Sequence, residues 1–378
     1  MKKILIATAV AASFASVAHA QSSVTLYGTL DAGITYTSNV GGHAQWAVGS
    51  GSVDENRFGL RGVEDLGGGL KTIFTLEQGF DLNNGSQASA GKMFSRQAFV
   101  GLSSRAGTVT MGRQYDAMHD FVAPVTAAGS WGGANFAHIY NNDGLDDNSG
   151  VATNNSIKFR SADYAGLSFG GTYGFSNNSK FADNREYSFG ASYENAGLRV
   201  GAGYAQQNNP TGNAAGATTA AGNFLAGFGS LYGSAFRQRE FGAGASYAFG
   251  PAVVGLAWTQ GRVDNFDTGA GASRFNNYEV NAKYNVTPAF GLGVAYTYTN
   301  GRAASMDGNP DVKFHVNQVG LQGDYALSKR TDVYAQGVYQ LTSGSNGLPA
   351  AIIDNGNVTG DSASRRQAVA SVGLRHRF

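Results

Sequence analysis

The stretch Ser23-Val24-Thr25-Leu26-Tyr27-Gly28-Thr29-Leu30-Asp31-Ala32-Gly33-Ile34-Thr35-Tyr36 changes polarity at nearly every step. Val24, Leu26, Gly28, Leu30, Ala32, Ile34 and Tyr36 fall on one face. Thr25, Tyr27, Thr29, Asp31, Gly33 and Thr35 fall on the other. Period two marks a β-strand with two unlike faces. This strand is well beyond the five or six residues usual in soluble sheets. The pattern returns at 167–176 and 278–286. It ends the chain, where Val372, Leu374, His376 and Phe378 oppose Ser371, Gly373, Arg375 and Arg377. No apolar run approaches the roughly 18 residues of a helical membrane span. The best candidate, 247–258, is split by Gly250-Pro251.

Composition agrees with many strands and tight turns. The 378 residues include 55 Gly, 18 Tyr, 23 Phe and no Cys, and only 14% are charged. Ordinary soluble domains are about 25% charged and about 7% Gly. The glycine has no collagen period, and the aromatics argue against disorder. Without Cys there is no disulfide scaffold, thiolate metal site or cysteine nucleophile.

Residues 1–20 read as a cleaved secretory signal. Lys2-Lys3 precede an apolar segment, Ile4 to Val17, and Ala18-His19-Ala20 fits the small-residue cleavage rule. The remaining chain, 21–378, is expected to be one domain. Losing the two signal lysines turns the net +1 into −1, which gives no support to a nucleic-acid partner.

Short turns, such as Asp65-Leu66-Gly67-Gly68 and Phe249-Gly250-Pro251, alternate with long polar connections at 41–55, 116–154, 208–235 and 344–364. The count predicts sixteen strands. Tyr, Phe and Trp cluster near the ends of the apolar faces, as at Tyr36, Tyr173, Trp258, Tyr284 and Tyr296. Such girdles mark the edges of a bilayer. The opposite faces carry Ser, Thr, Gly, Gln and charges, a poor core but a good water-filled lumen. Open edges would leave backbone groups unpaired in lipid, so the expected fold is all-β: a closed, antiparallel transmembrane barrel of sixteen strands. Lumen-facing glycine is expected to leave open space beside the charged residues.

Several motifs resemble one family in order and spacing. They are Ser23-Val24-Thr25-Leu26-Tyr27-Gly28, Arg57-Phe58-Gly59-Leu60-Arg61-Gly62 with Glu64-Asp65-Leu66-Gly67, Arg96-Gln97-Ala98-Phe99-Val100-Gly101-Leu102, Gly112-Arg113-Gln114-Tyr115-Asp116, Leu327-Ser328-Lys329-Arg330-Thr331 and Val372-Gly373-Leu374-Arg375-His376-Arg377-Phe378. The chain resembles the general trimeric porins of the Gram-negative outer membrane, in their neisserial and burkholderial branch. The resemblance implies a homotrimer and passive diffusion of small hydrophilic solutes and ions. It also implies short periplasmic turns, long external loops and a third loop folded into the lumen, here the connection after the fifth strand. Outer-membrane lipid and lipopolysaccharide are the implied surroundings. Phe378 resembles the assembly signal read by the outer-membrane insertion machinery. No cofactor is implied.

Charge selects ions only where the passage is about as narrow as the ~10 Å Debye length of ~0.1 M salt. The wall residues assigned to that zone are Arg57, Arg61, Lys71, Arg96, Arg113 and Lys158, with Asp116 and Asp120 from the loop. Arg96 is in phase with the lipid-facing Val100 and Leu102, so either a bulge shifts the phase or Arg96 is not a wall residue. A third basic position of some relatives falls at 153–155, where this chain has Thr153, Asn154 and Asn155; Lys158 is the substitute. Asp143, Asp146 and Asp147 read as solvated turn residues. The expectation is a mild anion preference. The alternative is a channel specific for small anionic solutes, with Arg199, Arg375 and Arg377 as guides.

No catalytic chemistry emerges. The six His show no metal-ligand spacing, and there is no phosphate loop or nucleophile elbow. An outer-membrane hydrolase would enlist His119 or His138, but neither has a paired nucleophile motif.

Overall fold

The structure, a computed structural model, describes residues 22–146, 152–177, 181, 184–208, 236–265, 272–304, 311–345, 350–353 and 360–378. Residues 1–20, expected from the sequence to be a signal, Asp147 and much of the longer connections lie outside these residues.

The strands are β1 (Ser23–Val40), β2 (His43–Ser50), β3 (Arg57–Gly67), β4 (Leu70–Gly79), β5 (Gln97–Ser104), β6 (Gly107–Tyr115), β7 (Ala152–Ser161), β8 (Leu167–Gly174), β9 (Glu186–Asn195), β10 (Leu198–Asn208), β11 (Phe236–Phe249), β12 (Ala252–Asn265), β13 (Ser273–Asn285), β14 (Phe290–Ala303), β15 (Val312–Ala326), β16 (Thr331–Gly344) and β17 (Arg366–Arg377). Sequential neighbours from β3 to β17 pair antiparallel, and β17 pairs back onto β1. Both β2 and β3 pair with β1, Ser50 opposite Ala32 and Arg57 opposite Thr29, so they are two halves of one stave. The wall among the described residues therefore has sixteen staves and no free edge. Phe378 completes the seam by exchanging both backbone hydrogen bonds with Gly28 at 3.1 Å.

One expected loop becomes something else. The stretch 41–55 turns tightly at Gly41-Gly42, returns along β1 as β2, and then leaves the wall between Ser50 and Arg57.

Burial is inverted relative to a soluble protein. In β1, Asp31, Thr35 and Thr37 face inward and are buried, while Val24, Leu26 and Ile34 face outward and are exposed. The outer face meets lipid. Its aromatics fall near the two ends: Trp258, Tyr278 and Tyr298 stand side by side in register nearer the long-loop end, and Phe249, Tyr284 and Tyr325 lie nearer the short turns.

The connection after the fifth stave runs inside the barrel. Asp116 caps a short helix, α1 (Ala117–Phe121), by accepting a hydrogen bond from the His119 N–H, and 3-10 and π turns follow. This loop supplies the apolar packing of the interior. Met118 and Val122 meet Ala205; Phe136 and Trp131 meet Ala295, Val338 and Val369; Ile139 meets Val263, Phe275 and Phe314. Burying side chains of this size stabilises by roughly 1.5–3 kcal/mol each. Glycines on the wall make room for it. A Cβ at Gly201 would strike the Phe121 carbonyl, one at Gly293 the Trp131 ring, and one at Gly320 the Phe136 ring. These inward glycines are thus covered by the loop, not left as open space beside the charges.

Candidate functional site

Asp31 is fully buried on the inner face of β1. Its carboxylate accepts hydrogen bonds from the Val53 and Asp54 N–H groups, each at 2.8 Å, and from the Tyr334 hydroxyl at 2.6 Å. Its backbone N–H donates to Asn56 Oδ1 at 2.5 Å, and its carbonyl accepts from the Gly51 N–H at 2.9 Å. One lumen-facing acid thereby holds residues 51–56 away from the wall. A Cβ at Gly133 of the infolded loop would strike the Val53 carbonyl, so the two inward segments touch.

That segment carries the acids that meet the wall arginines. Arg96 precedes β5, which begins at Gln97, so strand alternation does not govern it. It is buried, bonded to Glu55 and, at 2.7 Å, to Glu77, with its guanidinium 5.6 Å from the Tyr115 ring centre. Arg57 lies 3.8 Å from Asp54 and 4.0 Å from Glu77. Arg61 is exposed over the Tyr27 ring, and the Tyr27 hydroxyl donates to Glu77 at 2.7 Å. The structure thus joins Arg57, Arg61 and Arg96 through Glu77 and Tyr27.

The remaining assigned residues are held by other partners. Lys158 pairs with Asp120 and donates to the Tyr115 carbonyl at 3.0 Å. Arg113 is tied to the backbone carbonyls of Ser95, at 2.6 Å, and Ala152, at 2.9 Å, and to Asn154. Asp116 is buried as a helix cap and does not oppose the arginines; burial, with Glu186 nearby, lifts its carboxyl to about 7. Lys71 is exposed near the short β3–β4 turn, opposite Asp65 and Ser103, and is not brought to the others.

Asp143 and Asp146 are not solvated turn residues: both are buried. Asp146 accepts from Asn141 at 2.9 Å. Asp143 receives His138 Nδ1 at 2.5 Å, while His138 Nε2 lies 3.1 Å from Glu279 on β13. Burial alone would neutralise both partners. The ion pair outweighs it, holding Asp143 below the usual carboxylate range and lifting His138 to about 10. A charged imidazolium between two acids therefore pins the loop to the far wall.

Beside the loop lies a cavity of about 280 Å³ lined by Asp54, Ser130, Trp131, Lys283, Arg375 and Arg377, among others. Arg375 reaches Asp54 at 2.8 Å, Asp332 at 2.9 Å and Asp324 at 3.3 Å. Arg377 bonds Asp54 and Asp332 but keeps 43% of its side chain exposed. Sequence reasoning assigned neither Lys283 nor the acids Asp54, Glu55 and Glu77 to this zone. For Glu77 a signal existed: the alternation that turns Lys71 inward carries Glu77 with it.

A closed barrel, apolar outside, polar inside and narrowed by an infolded loop, is a transmembrane channel. Comparison with known proteins makes the class definite. The chain belongs to the Gram-negative porin family, whose sequence profile matches residues 7–345. It is 30% identical over 425 aligned positions to an outer membrane porin protein of Bordetella pertussis, covering all of both chains. Among solved structures, it is similar to the anion-selective porin from Comamonas acidovorans, with a TM-score of 0.75 and 28% identity over 95% of this chain and all of that one. The trimer form of OmpT from Vibrio cholerae shares the fold, with a TM-score of 0.64 and 17% identity over 94% of this chain and 99% of that one. The protein is an outer-membrane porin, a multi-pass β-barrel for passive diffusion of small hydrophilic solutes.

Proposed function

We propose that this porin conducts small ions with a mild preference for anions and works as a homotrimer. The observation that carries the reading is the cavity beside the infolded loop, where Lys283, Arg375 and Arg377 stand against one lining carboxylate, Asp54. The acids Asp324 and Asp332 hold Arg375 from the wall side, which tempers the preference. The Comamonas relative is described as anion-selective, and OmpT was solved as a trimer; both support the reading. In a planar bilayer under a salt gradient, the reversal potential is expected to have the anion-selective sign. Arg377→Gln with Lys283→Gln is expected to bring it toward zero. A cation-selective reversal potential overturns the preference while leaving the porin assignment intact.

The same three cations favour a second reading, a weak site for a small anionic solute, since Arg matches carboxylate and phosphate geometry. Conductance that saturates with one solute would separate it from general diffusion. Residues 1–20 are proposed as a cleaved signal, with Gln21 as the first residue of the exported chain, which N-terminal sequencing tests. Phe378 is proposed as the residue read by the insertion machinery.

A further inference from the structure

The lipid side of the wall is not filled evenly. A cavity of about 650 Å³ opens on the outer face of β13 to β16, among Tyr284, Leu292, Leu321, Gly323, Ala335 and Gly337. The register explains it. Leu292 on β14 stands beside Gly323 on β15, and Gly323 beside Ala335 on β16; one row nearer the bilayer centre, Leu321 stands beside Gly337. These positions face outward, because their strand neighbours Gln322, Gln336 and Val338 are buried inside the barrel. A Cβ at Gly337 would meet nothing within 4 Å, and one at Gly323 would come no closer than 3.6 Å to the Phe290 and Leu292 side chains. Small residues on two adjacent strands thus leave a trough walled by Tyr284, Leu292 and Leu321.

The trough begins just inside the aromatic edge. Tyr325 lies two residues from Gly323 on the same face, and Tyr284 is in register with Leu292. Such aromatics mark the hydrocarbon boundary, so the trough runs from there toward the middle of the bilayer. Beyond the boundary, β15 and β16 meet in the turn Leu327-Ser328-Lys329-Arg330, exposed throughout. From Ala335 to Thr331, where β16 begins, is about 13 Å along the strand and about 10 Å of height at a tilt near 40°. Lys329 and Arg330 therefore stand at headgroup level at the end of the trough. The nearby acid, Asp332, is buried on the lumen side and is taken by Arg375 and Arg377. The neighbouring turn, Val286 to Ala289, carries no charge. Short turns are the periplasmic end of an outer-membrane barrel.

We propose that the trough and this turn form one site for an anionic phospholipid of the periplasmic leaflet. One acyl chain lies over Gly323, Ala335 and Gly337, and the phosphate meets Lys329 and Arg330. Bilayer tails are as apolar as the wall, so burial alone gives a chain no reason to stay. The trough supplies close packing on three sides, where dispersion contacts accumulate. The two cations supply the selection, since a guanidinium forms paired, charge-assisted hydrogen bonds with phosphate oxygens. A free phosphate ion would use the turn and leave the trough empty of any partner it could pack against. The inference rests on the membrane placement of the barrel and not on its ion preference.

The test uses the whole porin, purified in mild detergent and mixed with phosphatidylglycerol, with bound lipid counted by native mass spectrometry. Lys329→Gln with Arg330→Gln should retain at least about fivefold less than the wild type. Gly337→Phe, which fills the trough, should retain at least about threefold less. Conductance and reversal potential should match the wild type in both, since these side chains lie outside the lumen. Arg274→Gln with Arg302→Gln, at the long-loop end of β13 and β14, should retain the wild-type amount. If Gly337→Phe fails to form a heat-modifiable barrel, Gly337→Leu takes its place with the same expected loss. Unchanged retention by the turn variant or by the filled trough overturns the proposal. So does equal retention of zwitterionic phosphatidylcholine, or displacement of the lipid by millimolar glycerol phosphate, which has the charge and no chain. Loss of the oligomer on filling the trough would place a second copy of the chain there and overturns it as well.

Discussion

Asp31 shows how one residue on a strand shapes the passage. It satisfies two backbone N–H groups of an inward segment and the hydroxyl of Tyr334. Leaving a buried donor unmet costs about 1–3 kcal/mol, so Asp31→Ala should lower the thermal midpoint and let 51–56 relax toward the wall. Single-channel conductance should then rise, because Asp54 and Glu55 no longer hold their arginines in place. The alternation of residues 23–36 told which way Asp31 points, but its partner Tyr334 lies 303 residues away and left no trace in the local pattern. The loop's titratable residues respond to pH in a defined direction. Asp116, lifted to about 7 by burial, binds its proton more tightly in the folded chain, so it costs stability progressively as pH rises from about 4 to 7. Asp116→Asn keeps an amide able to cap α1 and should remove that part of the pH dependence in thermal melts. His138, lifted to about 10 by Asp143 and Glu279 against the effect of burial, contributes fully below about 6.5 and loses its contribution as pH climbs to about 10. Both effects dock the loop more firmly under mildly acidic conditions. His138→Gln should cost about 3–5 kcal/mol by leaving two buried acids without their cation, read as a lower melting midpoint and a noisier open channel.

The infolded loop is the element on which the passage depends. Its length marked it as functional, since a connection of this size without regular structure is uncommon otherwise, while its infolding was what the family resemblance implied. Its fit to the wall was legible in neither. Glycine in a strand reads equally as turn, bulge or space, and only the structure shows Gly201, Gly293 and Gly320 lying under Phe121, Trp131 and Phe136. Gly320→Val should therefore displace the Phe136 ring and part of the loop. The expected outcome is greater conductance together with protease cleavage between 123 and 145, while the barrel keeps its heat-modifiable migration. The acids of the loop were legible as residues but not in their roles. Asp143 and Asp146 resemble turn formers in composition, yet the loop turns inside a barrel, where water is displaced by the wall. The break between β2 and β3 was hidden for a related reason: Gly51-Ser52 reads as part of an external loop, and only pairing with Asp31 folds it inward.

At the scale of the whole molecule, the alternation of outward apolar and inward polar residues fixed the barrel, its closure and its membrane. It did not say which lumen charges neutralise one another, because pairing across a wide lumen follows from curvature and tilt and not from spacing along the chain. Arg57 and Arg96 are largely answered by Glu55 and Glu77, leaving the preference to the more exposed cations near the loop. Their influence reaches about 10 Å in 0.1 M salt and about 3 Å in 1 M, so the anion preference measured by reversal potential should shrink as salt is raised at a fixed gradient ratio. The seam adds a temporal consequence. β1, the first strand of the wall, closes on β17, the last, and Asp31 awaits Tyr334 on β16. Contacts so distant along the chain form late, after local hairpins have paid no large loop-closure entropy of their own. The inward segment that presents Asp54 to Arg375 can lock only when the final two strands arrive. An assembling chain therefore passes through nearly complete curved sheets that have no finished filter, and its ion discrimination comes into being in the same event that seals it.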